Sequence, residues 1–150
     1  MTLRDILRNK GTAVYTTTPD ATLRDVVERL MQFNCGSLVV VESAGSRRML
    51  GIITERDILK ASAARRAPLD EVTVGASMST NVVAASQDDP VPVIMGLMTK
   101  NRFRHMPVIE DGELVGIISI GDVVKAQHDA LTTENHYLKT YITGEAAEAR

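Results

Sequence analysis

The chain contains one pattern twice, and this limits its fold more than any other feature. Gly51-Ile52-Ile53-Thr54-Glu55-Arg56-Asp57-Ile58-Leu59-Lys60 returns 65 positions later as Gly116-Ile117-Ile118-Ser119-Ile120-Gly121-Asp122-Val123-Val124-Lys125. Upstream, Gly36-Ser37-Leu38-Val39-Val40-Val41-Glu42 matches Arg104-His105-Met106-Pro107-Val108-Ile109-Glu110, 68 positions apart. The difference places an insertion in Ser43–Arg48, a polar stretch where a hairpin loop absorbs extra length. Asp111-Gly112 is the shorter turn of the second copy and a strong hairpin signal. Repetition at a fixed offset means one supersecondary unit used twice.

Each copy predicts the order β-α-β-β-α. Ala13–Thr17 and Val82–Ala85 are the opening β-prone runs. Thr22 and Asp25 form a capping box before a helix with Leu23, Val26, Val27, Leu30 and Met31 on one face. Asp88-Asp89-Pro90 starts the matching helix, with Val91, Ile94, Met95 and Met98 on its apolar face. A further helix opens the chain, capped by Thr2 and Asp5, apolar at Leu3, Ile6 and Leu7, and stopped by Gly11. The last helix is predicted from about Asp122 to Tyr141, with Gly144 ending it. Val124, Leu131 and Leu138 lie seven apart along it, a seam for a partner helix.

One copy is roughly sixty residues with an open apolar sheet face, a marginal size for independent folding. The expectation is therefore an α/β fold in which two intertwined repeats pack sheet to sheet with pseudo-two-fold symmetry. The boundaries read as 1–66 for the first repeat with its leading helix, 67–73 for a linker broken by Pro68, 74–128 for the second repeat, and 129–150 for a helical extension and tail.

Composition removes several classes. The net charge of −2 lacks the basic excess of a general nucleic-acid binder. Aromatic residues are 3% with no Trp, so the core is aliphatic and base-stacking platforms are scarce. One cysteine, Cys35, cannot close an intrachain disulfide, which fits a reducing, cytoplasmic setting. Met1–Lys10 is charged throughout and shows no signal pattern, and the apolar stretches Leu38–Val41 and Val91–Met98 are too short to cross a bilayer. No phosphate-binding P-loop, glycine-rich dinucleotide fingerprint or serine elbow is present, and no nucleophile–base constellation appears, so the chain is read as non-enzymatic. His128 and His136 read as solvated helix residues, Arg47, Arg48, Arg65 and Arg66 as solvated charges, and Cys35 as a small buried hydrophobe.

The chemistry lies where each repeated strand becomes a helix. Thr54 and Asp57, and Ser119 and Asp122, have the spacing of capping boxes. The same atoms admit a second reading. A carboxylate accepts both hydroxyls of a ribose diol, a neighbouring hydroxyl supports ribose or phosphate, and helix-start amides favour an anion. Ile52 and Ile117 offer apolar walls for a flat base. Phosphates need cations, and Arg104 and His105 are the candidates, with Arg56 at the first helix start. Arg102 reads as a solvated loop charge. Strand alternation puts Arg104 with Met106 on one face and His105 with Pro107 on the other.

Gly51–Asp57, Arg104–Val108 and Gly116–Asp122, in order and duplicated, resemble the motifs of a stand-alone tandem CBS-domain protein, a Bateman module of the small bacterial type, over Leu3 to Lys125. The resemblance implies two pseudo-equivalent sites between the repeats, each taking an adenosine moiety as AMP, ADP, ATP, S-adenosylmethionine or NAD(H). Asp57 and Asp122 would hold ribose hydroxyls, with Thr54 and Ser119 beside them and Ile52 and Ile117 against adenine. Thr80, Asn81 and Val82 would close the Asp57 site, and Gly11, Thr12 and Val14 the Asp122 site, with Ser37, Leu38, Met106 and Pro107 contributing from the second strands. Leu38 stands where the second copy has Pro107, and nothing basic matches Arg104, so the two sites need not be equally occupied. The family also implies a disc-like homodimer that senses energy or redox state and passes the signal to a regulated protein. The competing reading is an interaction adaptor that keeps the fold without sensing a ligand.

Overall fold

The computed structural model describes residues 1–64 and 67–143, with side chains as far as Glu134. Helix α1 (Leu3–Lys10) begins where the Thr2 N–H donates to Asp5 Oδ2 at 2.9 Å, and it stops at Gly11, whose φ of +96° suits glycine. The first repeat follows as β1 (Thr16–Thr17), α2 (Leu23–Phe33), β2 (Ser37–Val41), β3 (Met49–Thr54) and α3 (Glu55–Ala64). A short 3-10 turn (Leu69–Glu71) and α4 (Val74–Ser77) lead to α5 (Val91–Asn101), β4 (His105–Glu110), β5 (Glu113–Ser119) and α6 (Ile120–Thr143). The capping box predicted at Thr22 forms, with the Asp25 N–H donating to Thr22 Oγ1 at 3.2 Å and the Thr22 N–H to Asp25 Oδ2 at 3.0 Å.

Both hairpins share one register. Val39 faces Ile52 across β2 and β3, as Pro107 faces Ile117 across β4 and β5. The opening strands are shorter than predicted. Only Thr16 and Thr17 pair with β2, and Val82–Ala85 contributes a single parallel bridge, Ala85 to Val108. Thr12 and Ala13 stay exposed with no strand beside them, while Val82 and Val83 line a groove instead. Helix α6 starts two residues before Asp122 and continues to Thr143; Gly144 lies outside the described residues.

The repeats exchange their leading segments. The Leu3 N–H donates to Asp89 O at 3.1 Å and the Val91 N–H to Met1 O at 3.0 Å, which ties α1 to the start of α5. The linker makes the equivalent contact on the first repeat, from the Leu23 N–H to Val72 O at 2.9 Å and from the Val74 N–H to Ala21 O at 2.8 Å. The cores follow this exchange. Leu3, Ile6 and Leu7 pack with Val91, Ile94, Met98, Met106 and Ile118, whereas Val74 packs with Leu23, Val26, Leu30, Leu38 and Ile53. A third cluster, Val39, Val41 and Leu114 with Val14 and Ile117 against it, joins the two sheets. Arg47 is exposed, as read, and its guanidinium also donates to Leu114 O at 3.3 Å across the two sheets.

The exchange explains the repeated glycines. A Cβ on Gly51 would lie 2.5 Å from the carbonyl oxygen of Ser79, and one on Gly116 would lie 2.7 Å from Leu7 Cδ2. Backbone cannot retreat as a leucine tip can. Gly51→Ala is therefore expected to lower unfolding free energy by about 1–3 kcal/mol, and Gly116→Ala by less. Urea denaturation of the two variants checks the order; equal losses would contradict it.

Candidate functional site

Two strand-to-helix junctions face each other across the repeats. At the first, the Thr54 N–H donates to Asp57 Oδ2 at 2.9 Å, the Thr54 hydroxyl to the same oxygen at 3.2 Å, and the Asp57 N–H to Thr54 Oγ1 at 3.4 Å. At the second, the Ser119 N–H donates to Asp122 Oδ2 at 2.8 Å and the Asp122 N–H to Ser119 Oγ at 3.1 Å. The capping geometry is present in both copies. Beyond it the two carboxylates differ. Asp57 Oδ1 accepts the hydroxyl of Ser79 at 3.3 Å, while Asp122 Oδ2 accepts the ammonium of Lys10 at 2.6 Å. The Lys10 ammonium also donates to Ile117 O at 2.9 Å.

A groove of about 810 Å³ runs between the junctions, within the range of small-molecule sites. Ile52, Thr54, Arg56, Asn81, Val82, Arg104, His105 and Ser119 line it, bringing together eight of the residues singled out in the sequence. Asp57, 9% exposed, stands behind Thr54 and Ser79 and does not line the groove; nor does Asp122. Ile117 and Val14 pack half-buried at the junction of the sheets, and Thr12 and Thr80 are exposed outside the groove. Ser37 and Pro107 are buried in their strands.

Two expectations are corrected. Leu38 and Met106 have no exposed surface, because each points into the core of its own repeat, so neither side chain lines the groove. Arg104 lines the groove although Met106 faces the core; it precedes β4, where strand alternation does not yet apply. Arg102 is exposed in the turn after α5, as read, and from its αL backbone also lines the groove. Ser79, Phe103 and Gly121 line the groove without having been foreseen. Ser79 had a signal in its place beside Thr80; Lys10 had one in its place beside Gly11.

The electrostatics are uneven. Burial pushes the Asp122 carboxyl up, but the hydrogen bond from Lys10, those from Ser119 and the Lys10 charge outweigh it and hold the group below the usual carboxylate range. His105 is also shifted down, which for a base favours the neutral form. Burial, then the charges of Lys10 and Arg104, lower its pKa, against smaller opposing effects of Glu55 and Asp122. Its edge also lies against Gly36 of the first repeat, where a Cβ would meet His105 Cε1 at 3.2 Å. A depressed histidine pKa means that the unfolded chain takes up the proton first. Stability is therefore expected to fall as pH drops through the ordinary histidine value, levelling off once pH passes the lower folded value. His105→Asn should remove this slope in melting curves taken from pH 8 to 5; an unchanged slope would assign it elsewhere.

Helix starts set behind hairpin strands, each repeat completed by the leading segment of the other, define a duplicated α/β module of two pseudo-equivalent halves. The chain belongs to the CBS-domain family, whose model matches residues 3–64 and again 70–129. It is similar to CBS domain-containing protein CBSX3, mitochondrial, of Arabidopsis thaliana, at 36% identity over 150 residues, covering 95% of this chain and 72% of that protein. The crystal structure of a CBS-domain containing protein from Agrobacterium tumefaciens matches with a TM-score of 0.79 at 41% identity, over 85% of this chain and 99% of that one. The CBS domain pair of protein MJ0100, solved in complex with 5'-methylthioadenosine and S-adenosyl-L-methionine, matches with a TM-score of 0.72 at 28% identity, over 84% and 98% of the two chains. No helix among the described residues is long and apolar enough to cross a membrane.

Proposed function

We propose that this chain is a regulatory module that binds an adenine nucleotide, AMP, ADP, ATP or NAD(H), between its two repeats and so senses energy or redox state. The observation that carries this reading is the groove itself. It joins two hydroxyl-bearing strand ends, Thr54 and Ser119, to an apolar wall at Ile52 and Val82 and to cations at Arg56 and Arg104. Those are the groups a ribose, a base and a phosphate require. Asp57 and Asp122 become ribose acceptors when a diol displaces Ser79 or Lys10. The adenosine-type ligands of the MJ0100 pair support the ligand class. The role is binding rather than turnover, and its setting is the cytoplasm, consistent with one unpaired cysteine. The chain acts as a homodimer, for which light scattering should return twice the 16.3 kDa chain mass.

Titration calorimetry and thermal shift with AMP, ADP, ATP, NAD, NADH and S-adenosylmethionine test the proposal. A ligand at a hundred times its Kd adds about 2.7 kcal/mol to stability. No shift with any of them would reject it. Nucleotide turnover by pure protein, lost on changing both aspartates, would reject the non-enzymatic role.

One observation favours an adaptor instead: Val124 and Leu131 on α6 are 48% and 56% exposed. On that reading a partner protein still binds after Asp57 and Asp122 are replaced, and no nucleotide binds before.

A further inference from the structure

The two halves hold their carboxylates by different means. In the first, the Ser79 main-chain N–H donates to Ile52 O at 2.9 Å while its hydroxyl donates to Asp57 Oδ1 at 3.3 Å. In the second, one ammonium does both tasks. Lys10 Nζ lies 2.9 Å from Ile117 O and 2.6 Å from Asp122 Oδ2. Ile117 and Asp122 are the repeat equivalents of Ile52 and Asp57. Asp122 has an ion-pair partner, whereas among the described residues no lysine, arginine or histidine nitrogen lies within 4.0 Å of the Asp57 carboxylate. A basic residue in the last turn of α1 complements the helix dipole. That alone does not explain a side chain reaching into the other repeat to bond its strand carbonyl.

We propose that Lys10 makes the Asp122 site selective for phosphorylated nucleosides. The inference rests on the adenine-nucleotide reading and adds a rule for one of its two sites. A ribose diol that reaches Asp57 displaces a neutral hydroxyl. A diol that reaches Asp122 displaces the ammonium of Lys10, whose side chain is 32% exposed. A neutral nucleoside breaks the charge-assisted bond between Lys10 and Asp122 and offers the ammonium no anion in return. A nucleotide brings its own anion, and the released ammonium pairs with the phosphate instead. The ion pair thus closes the site to adenosine and exchanges partners for AMP. The Asp57 site carries no such filter.

The test is calorimetry of adenosine and AMP with wild-type protein and with Asp57→Ala protein, which isolates the second site. In the Asp57→Ala background AMP should bind at least roughly tenfold more tightly than adenosine, the size of one charge-assisted hydrogen bond. Adding Lys10→Met should erase the preference, with adenosine binding tighter and AMP weaker, while Lys10→Arg should keep it. Melting curves establish that each variant is folded. An AMP-to-adenosine ratio unmoved by Lys10→Met would overturn the proposal, as would absence of AMP binding at the second site when the first site of wild-type protein binds it. If wild-type protein binds neither compound nor any other adenine nucleotide, the functional reading itself falls.

Discussion

Alanine at both Asp57 and Asp122 is expected to weaken adenine-nucleotide binding at least roughly 100-fold, since each change removes hydrogen bonds to a charged acceptor worth about 1.5–3 kcal/mol. The same change removes the carboxylate half of two capping boxes, the bonds from the Thr54 and Ser119 amides, so melting temperature falls as well. Asparagine separates the two roles. It keeps an oxygen able to accept the Thr54 or Ser119 amide but loses the charge and one acceptor. The Asp57→Asn, Asp122→Asn protein should keep most of the wild-type melting temperature and still lose much of its affinity. Calorimetry beside melting curves reads both. If the asparagine protein binds nucleotide as tightly as wild type, the carboxylates are caps alone.

Leu3→Ala is expected to cost about 2–5 kcal/mol, a large share of the roughly 5–15 kcal/mol that holds a typical domain together. Leu3 has no exposed surface, and the neighbours it packs with are in the second repeat, among them Val91, Ile94 and Met106. The cavity thus opens some ninety residues away along the chain. Leu131→Ala on the exposed side of α6 serves as the comparison and should stay within about 0.5 kcal/mol of wild type, unless a partner helix covers it. Guanidinium unfolding of the two variants tests the exchange of leading segments directly. A small loss at Leu3 would mean that α1 does not complete the second core.

What could be read without coordinates was local or repeated. The caps at Thr2, Thr22, Thr54 and Ser119 depend on residues three apart, and each forms. The hairpins were legible because the duplicated strands fix each other's register. Edge pairing was not: whether Ala13 or Val82 joins a sheet depends on what the neighbouring backbone leaves open. The second strands misled for another reason. Every residue of β2 is buried, so there is no alternation to say which side meets a ligand, and Leu38 enters the pocket only through the family resemblance, which says nothing of its own surroundings. Lys10 stayed hidden because its partners, Ile117 and Asp122, are brought to it only by the crossing of α1 onto the other repeat.

That crossing also sets an order of assembly. The first core is complete once Val74 is made, soon after the strands it covers. The second must wait for β5 and Val123 before α1 can be seated, so a helix synthesised near the beginning is among the last pieces to dock. Contacts closing so long a loop slow folding. Until they close, Leu3, Ile6 and Leu7 leave an apolar face uncovered, and exposed apolar surface of that kind favours association with other chains.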